Sequence, residues 1–138
     1  MKKILFIALF ITCFSQLVKA DTTSYWHVYY NKIKMAELGG YGNGHVIKLK
    51  TNSIKTGDSI TVRYHQCSPC HDCPTNLTAE NGKHRVIASG QGKGSFNPVS
   101  FSLEAIKNSG LEYIEVFYFE GGAYSGAGKV LLFNIKLE

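Results

Sequence analysis

From Ser24 onward the chain is broken every few residues by a glycine cluster or an Asn-Gly step, and the stretches between breaks alternate apolar with polar residues. Alternation with a period of two marks a half-buried strand, and such short stretches leave little room for helix. Ile60, Val62 and Tyr64 share one face of a stretch whose other face carries Thr61, Arg63 and His65. Leu131, Phe133, Ile135 and Leu137 align in the same way near the C-terminus. The breaks fall at 39–44, 52–57, 67–74, 80–83, 90–95 and 121–128. The fourteen glycines and the many aromatic and β-branched residues suit strands joined by tight turns.

The strands expected from this pattern cover 24–30, 33–38, 45–50, 59–66, 75–79, 84–89, 98–103, 111–120 and 130–138. Asn81-Gly82 predicts a hairpin between two of them, and Pro98 at the start of another predicts an edge position. Residues 102–108 fit one helical turn, with Ser102 at its start and Gly110 beyond its end. Seven to nine short strands with little helix read as an all-β, antiparallel β-sandwich. Its core should include Ile60, Val62, Leu131, Phe133 and Ile135. Gly110 followed by Tyr113 near a strand start resembles the tyrosine corner of immunoglobulin-like sandwiches. That resemblance spans about ten residues and implies architecture only; an ordinary core aromatic at Tyr113 fits the same residues. The expected fold is therefore immunoglobulin-like in broad architecture.

Residues 1–20 read as an export signal. Lys2 and Lys3 precede an uncharged run from Ile4 to Phe14, and Val18-Lys19-Ala20 carries cleavage-site character. The run is about half the ~20 residues that a membrane span needs. Cys13 follows Thr12, a poor lipobox residue, and reads as part of the apolar run. Cleavage after Ala20 leaves residues 21–138 as one domain, exported to a periplasmic or extracellular compartment, with no further membrane span. Three of the fifteen basic residues leave with the signal and all ten acidic residues stay, so the mature balance is +2. The remaining lysines are scattered rather than clustered, which argues against nucleic acid as a partner.

The densest chemistry lies in Cys67-Ser68-Pro69-Cys70-His71-Asp72-Cys73. In an oxidising compartment the first expectation is a disulfide, and Cys70 with Cys73 is the favoured pair. Cys67 is then left free or available to cross-link two chains into a dimer. The competing arrangement is a zinc or copper site built from Cys67, Cys70, Cys73, His71 and His65, since three thiolates and an imidazole form a soft tetrahedral set. No second C-x-x-C cluster accompanies it. Thiol–disulfide exchange is the related alternative.

Strand parity places the loops. Two strands separate the 39–44 loop from the 67–74 loop, and two more separate each successive irregular loop from the next. All four should emerge at one end, carrying Tyr41, Asn43, the cysteines, Lys93, Phe96, Tyr124 and Ser125. Loops held on a rigid scaffold are where binding residues concentrate. No catalytic constellation stands out, and no cofactor is expected: Ser125 lacks the glycine spacing of a nucleophile elbow, and no pair of carboxylates forms an acid–base couple. The expected function is non-catalytic binding of a protein or glycan through the loop end. The alternatives are metal binding or redox chemistry at the cysteine loop, and inhibition of an extracellular hydrolase by insertion of that loop.

Overall fold

The computed structural model of the chain describes residues 24–40, 44–121 and 128–138. Residues 1–23, with the expected export signal, and Tyr41, Asn43, Tyr124 and Ser125 lie outside the described residues. Nine strands form in chain order: β1 (Tyr25–Tyr30), β2 (Ile33–Gly39), β3 (Val46–Leu49), β4 (Ser59–His65), β5 (Pro74–Glu80), β6 (Val86–Lys93), β7 (Val99–Ser102), β8 (Tyr113–Glu120) and β9 (Val130–Leu137). One short helix, α1 (Glu104–Asn108), lies between β7 and β8. Ser102 Oγ accepts a hydrogen bond from Glu104 N at 3.2 Å at its start.

The strands form two packed sheets, ordered β2-β1-β4-β7 and β3-β9-β8-β5-β6. Pairing is antiparallel except between β3 and β9, which run parallel. β4 and β7 lie in one sheet and β5, β6, β8 and β9 in the other. This is the partition that sets strands B and E against C, C′, F and G in immunoglobulin-like sandwiches. The likeness comes from topology and not from Tyr113, which is 52% exposed on the outer surface. The tyrosine-corner expectation is thus corrected, and so is its alternative as a core aromatic.

The core lies between the sheets. Trp26, Val28, Ile60, Val62, Val99 and Phe101 face Leu77, Ala79, Ile114, Val116, Tyr118, Phe133 and Ile135, all buried. Burying this apolar surface is the main favourable term in folding. Leu103, Ile106 and Ile54 close the end opposite the cysteine loop. On β9 the expected alternation breaks. The β8–β9 register shifts between Val116 and Phe117, and Leu132 is the extra residue of the bulge. Leu132 is consequently fully buried and Leu131 only half-buried.

Two further expectations change. The loop expected at 90–95 begins only at Gly94, because β6 continues through Gly90 and Gly92 to Lys93. There β6 meets β7 of the opposite sheet so closely that a Cβ on Gly90 would stand 1.8 Å from the Ser100 carbonyl oxygen. A glycine inside a strand marks such a backbone approach. The β5–β6 hairpin does form, but not by a two-residue Asn-Gly turn. Asn81 Oδ1 accepts from the N–H groups of Lys83 and Arg85 at 3.0 and 2.9 Å, and His84 takes the left-handed conformation at φ 58°. His84 therefore lies in the turn rather than on a strand face.

Candidate functional site

The cysteine loop connects β4 to β5. Cys70 and Cys73 are joined in a disulfide, and Cys67 is free and exposed. The pairing removes two of the five side chains proposed as metal ligands. Among the described residues, no group of three or more His, Cys, Asp or Glu side chains is arranged to hold a metal ion.

The loop is braced to the β6–β7 connection by its backbone. Ser95 N donates to Cys70 O at 2.8 Å, and Gly94 N donates to Cys73 O at 2.9 Å. Ser95 Oγ accepts from Cys70 N at 2.9 Å and from Gln66 Nε2 at 3.0 Å. Ser95 is only 1% exposed, so these bonds are shielded from water. Gly94, at φ +82°, lets the two loops touch: a Cβ there would stand 2.7 Å from the His71 carbonyl oxygen. Lys93 Nζ pairs with Asp72 at 3.1 Å on the exposed rim. Screening makes that pair a weak contributor.

The same end of the sandwich carries the roots of the other loops. Gly121 N donates to Pro74 O at 2.8 Å, so β8 leaves its sheet beside the start of β5. Asn76 Nδ2 donates to Gly121 O at 3.2 Å. In the other sheet, Gly40 N donates to Ser24 O at 3.1 Å. The 67–74 loop, the 94–98 connection and the described roots of the 40–44 and 121–128 segments therefore share one end. Lys93 and Phe96 are there; Phe96 is 45% exposed.

From this end an aromatic and histidine ladder continues onto the outer face of the β2-β1-β4-β7 sheet. The register pairs Tyr25 with His65, His27 with Arg63, and Tyr29 with Thr61. Tyr25 stacks on His65 at 4.7 Å between ring centroids, and His27 lies 4.8 Å from His65. Phe96 lies 5.9 Å from His65, which joins the ladder to the loop end. Glu37 Oε2 bridges His27 Nε2 at 2.9 Å and Lys34 Nζ at 2.6 Å. The Lys34 hydrogen bond, and next that from His27, hold the Glu37 carboxyl below its ordinary range. Partial burial, with the neighbouring His27 and Arg63, pushes the His65 imidazole pKa down. His65 Nε2 is buried without a hydrogen-bond partner among the described residues.

His65 thus belongs to this ladder, and His27 lies on the face opposite Trp26, which stacks on Tyr64 in the core. The alternation of Thr61, Arg63 and His65 revealed one row of the ladder. Its pairing with Tyr25, His27 and Tyr29 depends on strand register. Ser95, the hub of the loop bracing, carries no signal in the sequence beyond following a glycine.

No protein-family model matches the chain, and no curated protein is detectably similar to it.

Proposed function

We propose that the protein is an exported, non-catalytic binding protein that engages its partner through the loop end. The supporting observation is the bracing of the cysteine loop: the Cys70–Cys73 disulfide closes it on itself, and four hydrogen bonds to Gly94 and Ser95 hold it against the 94–98 connection. A loop fixed in this way before contact loses little conformational entropy on binding. Around it stand exposed His71, Asp72 and Phe96. Immunoglobulin variable domains use loops at one end of a like sandwich for recognition; here this is analogy at the level of fold only. No helix among the described residues is long and apolar enough to cross a membrane. The signal-like residues 1–20 and the disulfide support an oxidising compartment outside the cytosol.

Affinity capture from the compartment that holds the protein tests this. Native protein should retain a partner that the triple variant His71→Ala, Asp72→Ala, Phe96→Ala loses, with the thermal midpoint of the variant little changed. Equal retention by both would refute the loop end as the binding surface.

One observation favours thiol exchange as a second function of the same loop. Cys73 N donates to Cys70 Sγ at 3.0 Å. A backbone donor there favours the thiolate that Cys70 would become when an external thiolate attacks Cys73 Sγ. In that step the attacking sulfur bonds to Cys73, the Cys70–Cys73 bond breaks, and Cys70 leaves as thiolate. Equilibration with glutathione buffers followed by alkylation measures it. A pair reduced at the ambient glutathione poise supports exchange, and one that stays oxidised under reducing buffer assigns the bond a purely structural role.

A further inference from the structure

The outer face of the β2-β1-β4-β7 sheet holds a second feature that the loop-end reading does not use. Beyond the histidine ladder lies an open groove of about 610 Å³, lined among others by Tyr29, Lys32, Thr61, Arg63 and Ser100. Its volume falls in the range of small-ligand sites. Thr61 Oγ1 and Ser100 Oγ lie 2.7 Å apart in a hydrogen bond across β4 and β7.

The charges around it are unequal. Arg63 and Lys32 make no ion pair and no side-chain hydrogen bond among the described residues. No carboxylate lines the groove. The nearest acids are already engaged. Glu37 is held by Lys34 and His27. Asp58 accepts from Tyr30 Oη, from Asn31 Nδ2 at 3.1 Å and from Lys55 N at 2.8 Å. Lys34 offsets the Glu37 charge, and the Asp58 carboxylate stays ionised but pairs with neither cation. Arg63 and Lys32 are thus the two cations of this face without an ion-pair partner among the described residues; they favour an anionic ligand, and the planar Arg63 fork suits a carboxylate.

The rest of the lining narrows the class. Tyr29, Ser59, Thr61 and Ser100 present hydroxyl groups, and Pro98 is the one aliphatic side chain in the lining. A protein interface would place apolar or aromatic anchors in a desolvated centre. A nucleic acid would call for more than two cations, because its affinity comes from neutralising many phosphates. A polyhydroxylated chain carrying carboxylates satisfies both the hydroxyl lining and the charge. Tyr29, partly exposed in the lining, is the one aromatic ring there for the C–H face of a sugar.

We infer that this groove binds an acidic oligosaccharide, a chain of uronic-acid units, with Arg63 and Lys32 on its carboxylates and Tyr29, Thr61 and Ser100 on its hydroxyls. The site is distinct from the loop end, and neither proposal depends on the other.

Calorimetric titration with oligogalacturonate at low salt tests it, with neutral galacto-oligosaccharide and polyglutamate run alongside. Saturable binding of oligogalacturonate is expected, weakened roughly tenfold or more by Arg63→Gln and by Tyr29→Ala. The loop-end substitution His71→Ala should leave it unchanged. Circular dichroism melting of each variant separates lost binding from lost fold, and Lys32→Ala, on an exposed turn, supplies a second charge variant. Failure to bind oligogalacturonate overturns the assignment. So does affinity for the neutral sugar or polyglutamate that equals it, or binding indifferent to Arg63→Gln and Lys32→Ala.

Discussion

Leu132 shows how a single inserted residue redirects a strand. The bulge in β9 turns Leu132 inward beside Phe133 and leaves Leu131 half-buried. Leu132→Ala should therefore cost roughly 2–5 kcal/mol, whereas Leu131→Ala should cost clearly less. Chemical denaturation of the two variants reads the difference, and equal costs would show that the bulge is misplaced. At His65 the prediction concerns pH. Its folded-state pKa lies below the ordinary 6.5, so the unfolded chain binds the proton more readily. Stability from this group is complete above that value and is lost as pH falls from it through the depressed folded value. Melting temperature should drop between about pH 7 and pH 5, and less steeply in His65→Phe, which keeps the stack on Tyr25 but cannot titrate. Identical slopes would remove His65 as the cause. Neither feature was fully legible in the sequence. Alternation placed Ile60, Val62, Phe133 and Ile135 in the core correctly, but a bulge adds one residue without any compositional mark.

At the level of elements, the strands were legible wherever alternation and turn residues agreed. β1, β2, β4, β8, β9 and the helical turn lie close to their expected spans. Alternation ends β6 at Ser89, because Gly90 and Gly92 look like loop residues. Glycine there answers a tertiary demand, the approach of β7, that no local pattern encodes. Gly90→Ala should destabilise the fold at the upper end of roughly 1–3 kcal/mol or beyond, since a backbone oxygen would have to move. Gly82→Ala, where a Cβ meets nothing within 4 Å, should stay within about 0.5 kcal/mol. Thermal melts of the pair decide it; a tolerated Gly90→Ala would mean that β6 and β7 do not meet. The cysteine loop was legible in its Cys70–Cys73 pairing. Its bracing by Ser95 was not, because that contact joins residues twenty-five positions apart.

At the scale of the whole molecule, strand parity foresaw the gathering of loops at one end, and the described roots at Gly40 and Gly121 agree with it. Parity survives the parallel β3–β9 pair because both strands run away from that end. The outer-sheet ladder and groove were illegible for a different reason. They arise from the pairing of β1, β4 and β7, strands far apart in sequence, and register is set by the assembled sheet. The molecule thus presents two surfaces, a braced loop end and a polar cationic sheet face, joined through His65 and Phe96. The claim that the loop end meets the partner is tested most directly by photo-crosslinking in the native compartment. A photoreactive residue would replace His71 in one variant and Lys83, in the β5–β6 turn at the opposite end, in another. The loop-end variant should yield a discrete cross-linked species and the Lys83 variant none. Adducts from Lys83 alone, or equally from both, would contradict it.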